Sequence, residues 1–173
     1  MKTPAFLSDR KKRFWTLGPL LLALAIGAGY AFQSRWKVGI DPQATLCLSD
    51  RVYLVDTKDV RPERGGVFVF LSQGAEPVYE DGTKLAKRMT GLPGDRVEIT
   101  EEFEMRVNGR KIAQGFWHLR DVDAALIRER FTGSRVLKED EFWMTGESPK
   151  SFDSRYFGPV RRDRIMGRAY GLF

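Results

Sequence analysis

The sequence predicts a mainly β domain carried on one N-terminal apolar helix. Three observations lead there. Residues 15–32 form an apolar run of 18 positions without a charge. Short runs rich in β-branched and aromatic residues then recur along the chain, bounded by Gly, Pro and charged residues. A length of 173 residues is about one domain's worth.

Composition narrows the field further. The chain is 42% hydrophobic and 30% charged, which fits a globular protein. One Cys excludes an intrachain disulfide framework and a Cys-based zinc site. One His excludes a multi-His metal centre, so neither a metal nor a cofactor is expected. The net charge is +6, but residues 1–14 hold about +4 of it through Lys2, Arg10, Lys11, Lys12 and Arg13 against Asp9. The body keeps only about +2, too little for the basic patch that nucleic-acid binding requires.

The apolar run is near the lower end of spanning length, which is about 20 residues. Trp15, Tyr30 and Trp36 suit the two interfaces. Basic residues before the run predict a cytoplasmic N-terminus, a bias that Arg35 and Lys37 weaken without reversing. The expected organisation is a basic cytoplasmic segment (1–14), a single-pass anchor in the inner (cytoplasmic) membrane (15–34) and a periplasmic domain (35–173). A cleavable signal peptide is the competitor, because Ala23, Ala25 and Ala28 are small, but no clean A-x-A exit follows. Gly18, Pro19, Gly27 and Gly29 argue against a buried soluble helix.

In the body, residues 52–55 and 67–71 read as strands, followed by 96–100, 105–107, 111–113, 142–145 and 168–172. Asn108-Gly109 is a two-residue hairpin turn. Residues 121–131 predict a helix capped by Asp121, with Val122, Ala125 and Leu126 facing inward.

Three stretches carry candidate chemistry: Val38–Val52, Leu85–Val97 and Gly146–Gly158. Each has a plain alternative. Lys87 reads equally as an exposed strand lysine. Asp153 and Arg155 read as a surface pair worth under about 1 kcal/mol. Ser151 and Ser154 read as loop serines, and lone His118 as a structural or surface residue.

Taken together, KRMTGLPGD (87–95) and SFDSRYFG (151–158) behind one N-terminal span closely resemble bacterial signal peptidase I. GIDPQ (39–43), Cys47-Leu48 and the ending GRAYGLF (167–173) resemble more narrowly the TraF-type signal-peptidase-like proteins of conjugative transfer. The resemblance covers residues 36–173. It implies a signal-peptidase-like β domain and a Ser/Lys endopeptidase, with a serine nucleophile just outside the membrane and a lysine as general base. A lysine serves there because burial among apolar groups disfavours the charged form. Lys87 matches the family lysine, Ser151 the serine that orients it, Asp153 and Arg155 a supporting pair, and Gly146 the glycine opening that block.

The nucleophile departs from the pattern. With Thr45, Leu46, Asp50, Arg51 and Val52 in register, the family serine position holds Asp41. An aspartate beside a lysine favours the ammonium, the opposite of what a general base needs. Three readings stay open. In one, the site no longer cuts, and Asp41–Lys87 is a structural or substrate-binding pair. In another, a different nucleophile acts: Asp41 through an acyl anhydride, or Cys47, Ser49 or Thr45. In the third, Asp41 binds a substrate amine within a pilus assembly factor. For Cys47 the plain reading is a small buried hydrophobe, and for Ser49 a turn residue. The expected partners are a secreted or pilin precursor, the inner membrane and the conjugative transfer (type IV secretion) machinery. A substrate peptide is expected to add as a strand beside Asp41 and Lys87. Exposed aromatic residues near Asp41 are expected to rest on the bilayer surface.

Overall fold

The computed structural model describes residues 5–43 and 46–173, with side chains described at Trp15 and from residue 17 onward. Thr45 and the basic side chains at 2 and 10–13 lie outside it. The chain divides into two units at residues 36 and 37. The first is helix α1 (Ala5–Arg35), with Pro19 inside it. Its segment Leu17–Arg35 has a mean hydropathy of 1.4, and none of it is buried. By length and composition it is apolar enough to cross a membrane.

The second unit is built from two antiparallel sheets. The larger has the order β1-β2-β11-β3-β4-β9-β10. These strands are β1 (Trp36–Ile40), β2 (Val52–Asp56), β3 (Val67–Leu71), β4 (Lys84–Gly91), β9 (Glu141–Thr145), β10 (Val160–Arg161) and β11 (Ile165–Gly171). The smaller has the order β7-β6-β5-β8, with β5 (Arg96–Ile99), β6 (Glu104–Val107), β7 (Arg110–Gln114) and β8 (Gly133–Val136).

Alternation decides which faces are buried. On β3, Phe68 and Phe70 point into one core with Leu85, Met89, Phe142 and Met144. Val67 and Val69 point to the other face, against Tyr53, Val55 and Ala169. Phe68 and Phe70 are fully buried, and each contributes about 1.5–3 kcal/mol of apolar burial. The small sheet has its own core of Val97, Ile99, Met105, Val107, Phe116 and Ile127, with Trp143 of β9 reaching it from the larger sheet.

Two turns set the register. Asn108 and Gly109 have φ of 50° and 79°, the positive pair that a two-residue β6–β7 hairpin requires. In the Leu92–Asp95 turn, the Asp95 N–H donates to the Leu92 carbonyl at 3.0 Å, and Gly94 takes φ of 84°.

The helix in the body starts later than expected. α2 spans Ala124–Phe131, and its cap is Asp123, whose carboxylate accepts the Ala125 N–H at 2.8 Å. Asp121 does not cap it. The side chain that turns inward is Ile127; Val122, Ala125 and Leu126 are exposed. The eight-residue helix begins after Val122, so only one turn's face reaches the small sheet.

Candidate active site

Lys87 lies mid-strand on β4, directly opposite Phe68 of β3. It falls in the alternating series Leu85, Lys87, Met89, and it is 3% exposed. The reading of Lys87 as an exposed strand lysine is therefore overturned. Among the described residues, no ion pair within 4 Å involves it.

Asp41 follows β1 directly. Its backbone N–H donates to the Arg51 carbonyl at 2.9 Å, which fixes the chain where it leaves the sheet. Its carboxylate accepts the Gln43 N–H at 2.9 Å, closing a local turn. Asp41 and Lys87 line one cavity of about 370 Å³. Consecutive strands supply its floor: Tyr53 and Val55 of β2, Met166 of β11, Val69 of β3 and Ala86 of β4. Lys37 and Lys84 line the cavity as well, and no salt bridge joins Asp41 to Lys87 among the described residues. Exposed Val38 and Ile40 of β1 form its rim. The exposed large apolar residues of that wall are thus aliphatic, where aromatics were expected. Trp36 is half-buried, and Tyr53 is buried. Burial first, and then the nearby Asp50 charge, pushes the Tyr53 hydroxyl up to about 12.

Gln43 is a residue that the sequence reading missed. It donates from Nε2 to the Tyr79 hydroxyl at 2.8 Å and accepts the Cys47 thiol on Oε1 at 3.4 Å. Burial raises the Tyr79 hydroxyl above its ordinary value, against the opposing pull of the Gln43 hydrogen bond. Gln43 lies two residues from Asp41, but nothing in the sequence signals its link to Tyr79, 36 residues away.

The other nucleophile candidates are occupied elsewhere. Cys47 is buried, and its thiol turns to Gln43. Its carbonyl accepts the Glu147 N–H at 2.7 Å, tying the 41–50 segment to the loop after β9. Ser49 is exposed and donates to Asp50 at 3.2 Å.

Ser151 stands apart from both. It is fully buried, and its hydroxyl has no hydrogen-bond partner among the described residues. Gly146 lets it sit there. A Cβ at position 146 would fall 2.2 Å from the Ser151 Oγ and 2.9 Å from the Cys47 carbonyl oxygen, so a larger residue would drive the three segments apart. Gly146 also follows Thr145, which pairs with Arg88, so it approaches β4 at the level of Lys87.

The supporting pair is buried, not a surface pair. The Asp153 carboxylate accepts the Gly146 N–H at 3.1 Å and caps the short helix α3 (Ser154–Phe157). Arg155 binds it from two nitrogens, then reaches the Ser151 carbonyl at 3.1 Å and the Gly115 carbonyl at 2.9 Å. Burial opposes the charge on Arg155, and the Asp153 carboxylate overrides it, holding the guanidinium above its ordinary value. Ser154 is buried too, and its hydroxyl accepts the Met144 N–H at 2.9 Å. No group of His, Cys, Asp and Glu suited to a metal occurs among the described residues.

Comparison with known proteins gives this arrangement a family. The family described as signal peptidase, peptidase S26, matches residues 10–173. Signal peptidase I V of Bacillus subtilis is 31% identical over 168 residues, covering 91% of this chain and 96% of its own. The conjugal transfer protein TraF of Agrobacterium tumefaciens is 26% identical over 161 residues, covering 88% and 87%. A solved signal peptidase I from Enterococcus faecalis is 25% identical and covers 65% of this chain, with a TM-score of 0.39. With the family model spanning nearly the whole chain, this protein belongs to the signal peptidase S26 family.

Proposed function

We propose that the chain is a membrane-anchored endopeptidase that processes a secreted or pilin precursor, with Lys87 as its acid–base group and Asp41 in the nucleophile position. The observation that carries this reading is the buried Lys87, free of any salt bridge among the described residues and lining one cavity with Asp41. An inert β-sheet gains nothing from a buried unpaired lysine, which costs stability.

Asp41 alters the order of proton transfers rather than removing them. The carboxylate attacks the scissile carbonyl and forms an acyl anhydride as the C–N bond breaks. Lys87, entering as the ammonium, gives its proton to the departing amine. The neutral amine then takes a proton from the water that opens the anhydride. Asp41 is regenerated, and the products are one carboxylic acid and one amine. Attack by an amine of the same substrate in place of water would instead yield a cyclic product. The precursor strand would add along β1, the outermost strand of the larger sheet, beside Val38 and Ile40.

Similarity to the conjugal transfer protein TraF supports a pilin-type precursor and a place in conjugative transfer. The apolar segment Leu17–Arg35 of α1, with basic residues ahead of it in sequence, supports an inner-membrane anchor with a cytoplasmic N-terminus and a periplasmic domain (35–173).

A second reading is favoured by one observation: the family serine is replaced, and neither the Cys47 thiol nor the Ser49 hydroxyl turns to Lys87. In that reading the chain is a non-cutting assembly factor of the same apparatus.

Co-expression with the candidate pilin precursor and intact-mass analysis separates the two. A mass loss abolished by Lys87→Ala and by Asp41→Ala, but kept in Cys47→Ala, supports the aspartate peptidase. A further deficit of one water marks cyclisation. An unchanged precursor mass with the wild-type protein supports the assembly factor.

A further inference from the structure

We infer that His118 is a positioning residue, which clamps the Ser151 segment to the small sheet and so fixes the Ser151 hydroxyl in the candidate site. The segment 150–156 lies under a single 3₁₀ turn, Trp117–Leu119, that follows β7. The His118 Nε2 sits 2.9 Å from the Lys150 carbonyl oxygen. A carbonyl only accepts, so Nε2 carries the proton and donates. The ring also stands edge-on to Phe152 at 5.5 Å and 81°, and to Tyr156 at 5.5 Å and 75°. One imidazole therefore holds the residues on both sides of Ser151.

Neighbouring contacts act in the same sense. The His118 N–H donates to the Tyr156 hydroxyl at 3.3 Å, and the Lys150 ammonium lies 4.7 Å above the Trp117 ring. Beneath the segment, Arg155 holds the Ser151 carbonyl and the Gly115 carbonyl together. Ser151 is thus gripped from outside by His118 and from inside by Arg155. Its hydroxyl itself has no partner among the described residues, so the hydroxyl is placed by the held backbone and by close packing against Gly146. Neither the strands of the small sheet nor Ser151 lines the cavity that Asp41 and Lys87 share; Ser151 packs on Gly146, which lies level with Lys87, and the clamp acts on the site through that contact.

The catalytic consequence rests on the lysine-peptidase reading, but the clamp does not, and the test separates them. Hydrogen exchange on the full chain in detergent reads the Ser151 amide, which donates to the Ser148 carbonyl at 3.0 Å, against the β3 amides as a control. His118→Leu removes the donor, whereas His118→Gln keeps an N–H at the same reach. The expected result is a local acceleration of about tenfold or more in His118→Leu, with β3 unchanged and His118→Gln close to wild type. In precursor processing, His118→Leu then lowers kcat by about tenfold with KM nearly unchanged, and His118→Gln restores it. Unchanged exchange at Ser151 overturns the clamp, as does an acceleration shared equally with β3. Accelerated exchange with an unaltered kcat overturns its role in positioning the site. If the wild-type protein cuts nothing, the peptidase reading alone fails, and the exchange data still decide the clamp.

Discussion

Arg155 and Asp153, two residues apart, meet through two guanidinium–carboxylate bonds of 2.9 and 3.0 Å. Their side chains are 1% and 0% exposed. The pair joins three places: the Gly146 N–H, the Ser151 carbonyl and the end of β7 at Gly115. Its worth lies in that connection, because two buried charges recover little net energy from one another.

Removing one partner should therefore be severe. Arg155→Ala leaves a buried carboxylate uncompensated and should cost about 3–5 kcal/mol. Thermal unfolding of the detergent-solubilised chain checks this, with an expected fall in Tm of about 10 °C. Arg155→Lys keeps the charge but loses the fork that reaches five acceptor atoms at once, so its Tm should lie between the two. A Tm for Arg155→Ala within 2 °C of wild type, to about the precision expected of a neutral surface change, would sink the structural role.

Gly146→Ala should damage the site by sterics alone. The new methyl meets the Ser151 hydroxyl at 2.2 Å and the Cys47 carbonyl oxygen at 2.9 Å. Overpacking of this kind costs about 1–3 kcal/mol. The added double variant Gly146→Ala with Ser151→Gly removes the nearest obstacle, and denaturant unfolding should show part of the loss recovered. Two losses that simply add would contradict the geometry.

Acid should weaken the turn between β4 and β5. Burial works to raise the Asp95 carboxyl, but the Leu92 N–H at 2.6 Å, the Asn108 amide at 2.7 Å and the Arg64 guanidinium outweigh it and hold it below the ordinary carboxylate value. A lowered folded value means that the stabilisation is complete above the unfolded value of about 3.9 and is lost as pH falls through the folded one. Urea unfolding at pH 7, 5 and 3 should show Asp95→Asn less stable than wild type at pH 7 and 5. The gap should narrow at pH 3. A gap independent of pH would show that shape, not charge, is what Asp95 supplies.

Much of the fold was legible because half-buried strands write their burial into alternation. Residues 67–71 were readable to the residue, since Phe68 and Phe70 interleave with Val67 and Val69. β8 was not, because Gly133–Val136 is exposed at every position and carries no apolar period. β1 escaped notice for another reason: it continues from α1 without a turn residue to announce it. The α2 cap was misassigned because Asp121 and Asp123 are chemically equal, and only the backbone decides which carboxylate reaches an N–H. At the site, the resemblance to signal peptidase I, not spacing, was what singled out Lys87, Gly146, Ser151, Asp153 and Arg155. The Gln43–Tyr79 and His118–Lys150 contacts depend on tertiary approach across more than 30 residues, which no local pattern encodes.

Lys87 offers the sharpest separation of stability from function. It lies in an apolar series between Leu85 and Met89, opposite Phe68, and makes no salt bridge among the described residues. Lys87→Met fills much the same volume without a charge to desolvate, so the variant should be more stable than wild type, by about 1 kcal/mol or more. The same change should abolish precursor processing, because it removes the buried amine proposed to carry the proton between Asp41, the leaving amine and water, and Lys84→Met, a change at another lysine lining the cavity, should leave processing in place. Thermal unfolding and intact-mass analysis of the same preparation check both halves. A variant that loses stability instead would mean that the ammonium holds the fold together, and the sheet would then explain Lys87 without any chemistry.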